Sequence, residues 1–288
     1  MEIPNNSYIA SENQLIFLDT TKLVGVQSFN SSLNPGLRPL TYAGIGSKQV
    51  YYLPDSEQNT NVSINAFLIN QDYYFDFVTG NSLFNTYVLV EKANNLTNAY
   101  SIISGYGVNY SCSYSYGQIP TISFNYIGIR NAGGLGISDI NTGQLYTIST
   151  GNYDITPILV ADAGSISLTL EDSFSTNRVL SYSLSTRSNK IPVYSMGSRF
   201  PLRIDKLGAT DISCNFEVEI SNFTYRKLRE LPQNNVIKNL SLVVNSHDTN
   251  QAIKTYSFSN LNLVQEELIS TDSQNIKVNL SYNTQIYG

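Results

Sequence analysis

Along most of the chain apolar and polar residues alternate with a period of two, in short runs closed off by Asn, Gly, Asp or Pro. This pattern predicts strands over Leu15 to Leu18, Val24 to Leu33, Val62 to Leu68, Tyr87 to Val90, Tyr106 to Tyr116 and Thr121 to Ile127. It predicts further strands over Ser165 to Leu170, Val179 to Ser185, Ile212 to Ile220, Leu240 to Val244 and Ile276 to Tyr282. In Ser111-Cys112-Ser113-Tyr114-Ser115-Tyr116 every second residue is Ser, so one face of that strand is small and hydroxylated and can be closely approached. A helical pattern occurs over Phe223 to Leu231, with Asn222 as N-cap and Pro232 as stop. Its positional counterpart, Gln71 to Val78, is aromatic-rich and reads less well as a helix.

The runs repeat. Val26-Gln27-Ser28-Phe29-Asn30-Ser31-Ser32 lies over Val179-Leu180-Ser181-Tyr182-Ser183-Leu184-Ser185, ungapped through Pro39-Leu40 over Pro192-Val193 and Gly44 over Gly197; 179 minus 26 and 197 minus 44 both give 153. Val62 to Phe67 lies over Ile212 to Glu217, and Ile122 to Tyr126 over Val278 to Tyr282, with offsets of 150 (212 minus 62) and 156 (278 minus 122). Loop insertions between equivalent strands would produce that drift. The expected organisation is all-β: a first domain over 1–130, a Gly-rich linker over 131–157 opened by Asn131-Ala132-Gly133-Gly134-Leu135-Gly136, and a second domain over 158–288 containing the short helix.

Composition narrows the function. The 288 residues are 41% hydrophobic, enough for globular cores, but only 14% charged, with 21 Tyr and 12 Phe that favour half-buried sheets. The net charge of -5 comes from 17 basic and 22 acidic residues, so no basic stripe is available to neutralise phosphates and direct nucleic-acid binding is not expected. The N-terminal residues lack a basic stretch followed by an apolar run, and no window approaches the roughly 18 apolar residues of a membrane span, so synthesis in a cytoplasm and no membrane contact are expected.

Candidate chemistry is sparse. Cys112 and Cys214 sit in separate strand runs and read as free, half-buried thiols. His247, the one histidine, lies in Asn245-Ser246-His247-Asp248-Thr249-Asn250, a polar hairpin turn without convergent partners. Glu217 and Glu219 share a strand face, yet no acid is placed opposite them at a glycosidase separation. Gly105-Tyr106-Gly107 and Gly133-Gly134-Leu135-Gly136 lack the helix and Lys-Ser/Thr context of a phosphate cradle. No residue is assigned a catalytic, cofactor-binding or metal-ligating role; no cofactor and no enzymatic activity are expected. Residues 1–150 carry 5 basic and 9 acidic residues, and against them the basic residues Arg199, Arg203, Lys206, Arg226, Lys227 and Arg229 read as simple surface charge or, alternatively, as one face of subunits that pack head to tail.

The order of elements in each half resembles the tail-tube fold of tailed bacteriophages. Val24-Gly25-Val26-Gln27-Ser28, Arg38-Pro39-Leu40 and Ala43-Gly44-Ile45-Gly46 carry the resemblance in the first half; Val179-Leu180-Ser181-Tyr182-Ser183, Ile191-Pro192-Val193-Tyr194 and Met196-Gly197 carry it in the second. The resemblance implies two tandem β-sandwich/barrel domains of the tail-tube type. It implies a virion structural protein assembled in the host cytoplasm, which forms stacked rings around a channel for DNA as a tail tube or a tube-like baseplate or neck segment. With two such units per chain it implies trimers of pseudo-sixfold outline, hexamers being the other arrangement, in contact with neighbouring tail, baseplate or neck proteins. Segments available as ring-bridging arms are 83–93, 131–157 and 1–14. Two readings from other classes stay open: a capsid decoration or collar β-protein, and a carbohydrate-binding adhesive β-sandwich suggested by the abundant Tyr but weakened by the absence of Trp.

Overall fold

The period-two runs form strands, and those strands join into one sheet. In the computed structural model, the described residues are 14–19, 21–34, 37–44, 47–54, 59–92, 95–129, 159–161, 165–171, 174–196, 201–220, 236–270 and 275–287. The first part of the chain forms β1 (Gln14–Leu18), β2 (Thr21–Lys22), β3 (Val26–Asn34), β4 (Leu37–Gly44), β5 (Ser47–Pro54), β6 (Asn59–Phe67), the helix α1 (Phe75–Thr79), β7 (Phe84–Lys92), β8 (Asn95–Ser115) and β9 (Thr121–Gly128). The second part forms β10 (Ile166–Leu170), β11 (Phe174–Thr176), β12 (Val179–Val193), β13 (Arg203–Glu219), β14 (Val236–Asn245), β15 (Ala252–Ile269) and β16 (Lys277–Ile286).

The expected all-β class stands, but its division into two tandem β-sandwich/barrel domains does not. Fourteen of the strands make a single continuous sheet that is not closed into a barrel, and β4 and β5 form a separate two-stranded ribbon. The join is made by β8, which runs 21 residues. Its first part pairs with β7, its later part pairs with β9, and beyond β7 the freed side accepts β12 from Ser115 opposite Ser181 to Asn109 opposite Arg187. Backbone hydrogen bonding at that position removes the edge a separate domain would have needed.

The sheet is strongly curled. The hydroxyls of Tyr110 on β8 and Tyr256 on β15 lie 2.6 Å apart, although β12, β13 and β16 intervene in the sheet. On a flat sheet four strand spacings would separate these strands by about 19 Å. The curl brings both halves onto one hydrophobic core, in which Ile64, Phe124 and Tyr126 belong to the same cluster as Leu168, Phe216 and Leu280.

Within that single sheet the strand order repeats. The first half is ordered β3-β6-β9-β8-β7-β1-β2 and the second β12-β13-β16-β15-β14-β10-β11. A register shift between Gly107 and Asn109 on β8 recurs between Leu263 and Gln265 on β15. Positive φ angles recur too, at Ser104 (58°) and Asn260 (55°), and at Asp19 (52°) and Glu171 (54°). The ladders move one sequence alignment by two residues. Phe124 pairs with Ile64 and its counterpart Leu280 pairs with Phe216, so Ile64 stands over Phe216 rather than Cys214. A shift of two preserves every inward and outward side chain, which is why alternation alone could not fix it.

Three further expectations change. The aromatic-rich 71–78 segment supplies the described helix, α1, while 221–235, including the predicted helix over Phe223 to Leu231, lies outside the described residues, as does the linker 131–157. Arg38-Pro39-Leu40, which carried part of the resemblance and lay outside the predicted strands, is part of β4, where Pro39 stands opposite Tyr52; a strand with one partner tolerates proline. Strand β15, whose buried positions Ile253, Tyr256, Phe258 and Leu261 change spacing, escaped the period-two reading.

Helix α1 ties the halves together. The buried Asp72 accepts hydrogen bonds through Oδ1 from the Tyr74 and Phe75 backbone N–H groups (2.9 and 3.3 Å), and through Oδ2 from the hydroxyls of Tyr110 (2.7 Å) and Tyr256 (2.9 Å). Phe75 lies edge-on to Tyr110, Tyr256 and Phe258. From the second half, the Lys190 Nζ donates to the carbonyls of Phe77 and Gly80 at the end of the helix. The helix sits so close to β8 that a Cβ at Gly107 would stand 2.7 Å from the Phe77 carbonyl oxygen.

Candidate functional site

The repeat places eight strands side by side, four from each half: β3, β6, β9, β8, β12, β13, β16 and the end of β15. On each, alternate residues enter the core and the others form a broad opposite face. In the first half this face carries Ser28, Asn30 and Ser32 on β3, Asn61, Ser63 and Asn65 on β6, Thr121, Ser123 and Asn125 on β9, and Asn109, Ser111 and Ser113 on β8. None of these is charged. Their side chains are held down by one another: Asn65 Nδ2 donates to Ser28 Oγ (2.9 Å), and Ser113 and Thr121 share a hydrogen bond (3.0 Å). A shallow depression of about 370 Å³ is lined by Asn30, Asn61, Asn109 and Asn125 together with the apolar Val108 and Ile127.

In the second half the same positions mix Ser and Asn with charge. Ser185 and Ser213 share a hydrogen bond (2.7 Å) beside a wider depression of about 870 Å³, which Arg187 and Asp211 also line. The carboxylates Glu217 and Glu219 do share a face, and each has a cation: Lys277 Nζ lies 3.1 Å from Glu217, and Arg178 Nη1 lies 3.3 Å from Glu219. Asp211 accepts a hydrogen bond from Gln285 Nε2 at 2.8 Å. These pairings hold the acids in place on the sheet, and Glu267 stands on the same face two strands from Glu217, accepting a hydrogen bond from the intervening Asn279 at 3.4 Å.

The other residues singled out in the sequence lie apart. His247 is exposed in the β14–β15 turn, its backbone N–H donating to the Val160 carbonyl. Cys112 and Cys214 are free but wholly buried rather than half-buried; burial pushes the Cys112 thiol up to about 11 and the Cys214 thiol up to about 12. Gly105 and Gly107 make room for the Tyr126 ring and for α1, a packing role. Among the described residues there is no group of three or more His, Cys, Asp or Glu that could hold a metal ion. Arg203 pairs with Asp205 on its own strand (2.8 Å) and Lys206 donates to the Ile286 carbonyl (3.3 Å); Arg199, Arg226, Lys227 and Arg229 lie outside the described residues. Among the described residues the Tyr rings that suggested sugar stacking are largely interior: Tyr106, Tyr110, Tyr114, Tyr126, Tyr182, Tyr256 and Tyr282 are buried, whereas Tyr116 and Tyr287 are broadly exposed. No helix among the described residues is long and apolar enough to cross a membrane.

Sequence reasoning found the small hydroxylated face on one strand, at Ser111, Ser113 and Ser115, but missed its extent. The signal was available in the Ser and Asn residues of the other alternating runs; which runs are neighbours was not. Compared with models of known protein families the chain matches none, and it shows no significant similarity to a curated protein.

Proposed function

We propose that this chain is a structural subunit that assembles into rings, with the Ser/Asn face of the eight strands turned toward a central channel, as in the tail tube or a tube-like baseplate or neck segment of a tailed bacteriophage. The observation that carries the reading is the face itself. It spans strands of both halves, its first half is uncharged, and its hydroxyl and amide groups bond to one another. Such a surface suits a conduit for a polyanion. Among the described residues of its first half it carries no cation to condense on phosphate and release counterions. The acids of the second half, several of them paired, repel rather than capture DNA. A chain that repeats its strand order favours three copies per ring with a pseudo-sixfold outline.

The test is negative-stain microscopy with light scattering on the purified full chain. Rings with a central hole and the mass of three chains are expected, with no retention of double-stranded DNA at about 0.1 M salt, where non-specific binders still hold on. A monomer at every concentration, or tight salt-dependent DNA binding, overturns the reading.

A further inference from the structure

The repeated ladder uses one junction inside the chain, and among the described residues the corresponding one has no partner strand. Inside the chain, β8 beyond its β7 partner accepts β12, with Ser111 opposite Ser185 and Tyr110 opposite Thr186. The counterpart of that stretch of β8 is Gln265 to Ile269 of β15, located by the shared register shift and by the matching left-handed residues Ser104 and Asn260. The described ladder between β15 and β14 runs as far as Asn262 opposite Val236, and among the described residues no strand lies on the side of Gln265–Ile269 that faces away from β16. The counterpart of β12 is β3, which among the described residues pairs with β6 and no other strand.

We propose that Gln265–Ile269 of one copy pairs antiparallel with β3 of a second copy, in the register the chain already uses between β8 and β12. The partner is a second copy because the chain carries the finished form of this junction within itself. Transferred residue by residue, Glu267 stands opposite Ser32, Glu266 opposite Leu33, and Ile269 opposite Asn30. The side chains at the two edges agree with an interrupted core. Leu33 is 44% exposed and Leu268 56%, whereas Thr186 and Cys112, which hold these positions at the internal junction, are 2% and 0% exposed. Pairing sets Leu33 and Leu268 on the same side of the joined sheet, beside Glu266, and removes two strand edges that would otherwise template aggregation. The junction also continues the polar face, since Ser32 and Glu267 fall on the side occupied by Ser185 and Ser111.

This inference rests on the ring reading but can fail separately from it. The double variant Ser32→Cys/Glu267→Cys places two thiols directly across the proposed junction, while native Cys112 and Cys214 stay buried. Oxidation should give covalently linked multimers up to the ring mass on a non-reducing gel. The control Asn30→Cys/Gln265→Cys sets its thiols four residues out of register, about 13 Å apart along the strand, beyond disulfide reach. It should stay unlinked. A third variant, Leu268→Lys, alters a side chain exposed in the single chain, so it should keep the wild-type circular dichroism spectrum and lose the ring. Rings that form but link only in the control, or not at all, overturn the junction and leave the ring standing. Linkage within a single chain overturns the junction too. Monomers that never link overturn both.

Discussion

The two halves of the sheet share strand order, a register shift and two left-handed backbone positions, yet they use this frame differently. The first half presents an uncharged Ser/Asn/Thr face and contributes α1 to the common core; the second presents acids, several held by cations, and contributes Lys190 and Tyr256 to hold that helix. The difference is sharpest at equivalent positions. Gly107 is bare because α1 lies on it, while its counterpart Leu263 packs against the core as an ordinary partly buried side chain. A repeated backbone therefore fixes where strands go, and the elements laid on it decide which side chains each position tolerates.

The largest expected effect comes from removing the bond between the halves. Asp72→Ala orphans the buried Tyr110 and Tyr256 hydroxyls and the first turn of α1, at a cost on the order of 3 kcal/mol. Urea unfolding of the wild-type chain should show one cooperative transition with that loss in the variant. Two separate transitions in the wild type would mean that the halves do not share a core. Next in size, Gly107→Ala should lose about 2 kcal/mol because the new methyl meets helix backbone, whereas Leu263→Ala at the equivalent position should lose about 1 kcal/mol by removing a methyl-rich contact. Equal tolerance of alanine at both sites would break the comparison.

The Lys190 contact adds a pH dependence. Burial, and then the nearby Lys206 charge, lower the Lys190 ammonium from 10.5 to about 8. Below pH 8 both folded and unfolded chains keep this proton and the cost of burying the charge is fully present. Between pH 8 and 10.5 the unfolded chain holds a proton that the folded chain has released, so this group makes stability rise with pH. Comparing urea midpoints of wild type and Lys190→Met at pH 7 and about 9.5 isolates it. The wild type should gain on the variant as pH rises, and a constant gap would mean that the ammonium is not buried against the helix. The smallest effects belong to the shared kinks. Ser104→Gly and Asn260→Gly should each change stability by less than about 1 kcal/mol, with the larger gain at Ser104 because Asn accepts a positive φ more readily than Ser. Opposite signs in a thermal melt would show that the two kinks are not equivalent.

Much of the secondary structure was legible because it depends on near neighbours. Alternation located β1, β3, β6, β9, β12 and β13, and the larger apolar residues of those runs, such as Ile64, Phe124, Leu184 and Phe216, are in the core. It failed at β15, where the Asn260 kink changes the spacing of buried residues, and at β4, where proline interrupts the strand pattern. For the face, Ser111 and Ser113 were visible on one strand, whereas Asn30, Asn61 and Asn125 became part of the same surface only through pairing.

What the sequence by itself determined is therefore the position of most alternating strands and the existence of a repeat. Both follow from strand geometry, a property of a few consecutive residues. Only the tertiary structure decided which edges meet. Backbone groups pair regardless of side-chain identity, and sliding a strand by two residues leaves its pattern unchanged. So the extension of β8 past β7 to meet β12, which turned two expected domains into one sheet with one core, left no trace in the local pattern.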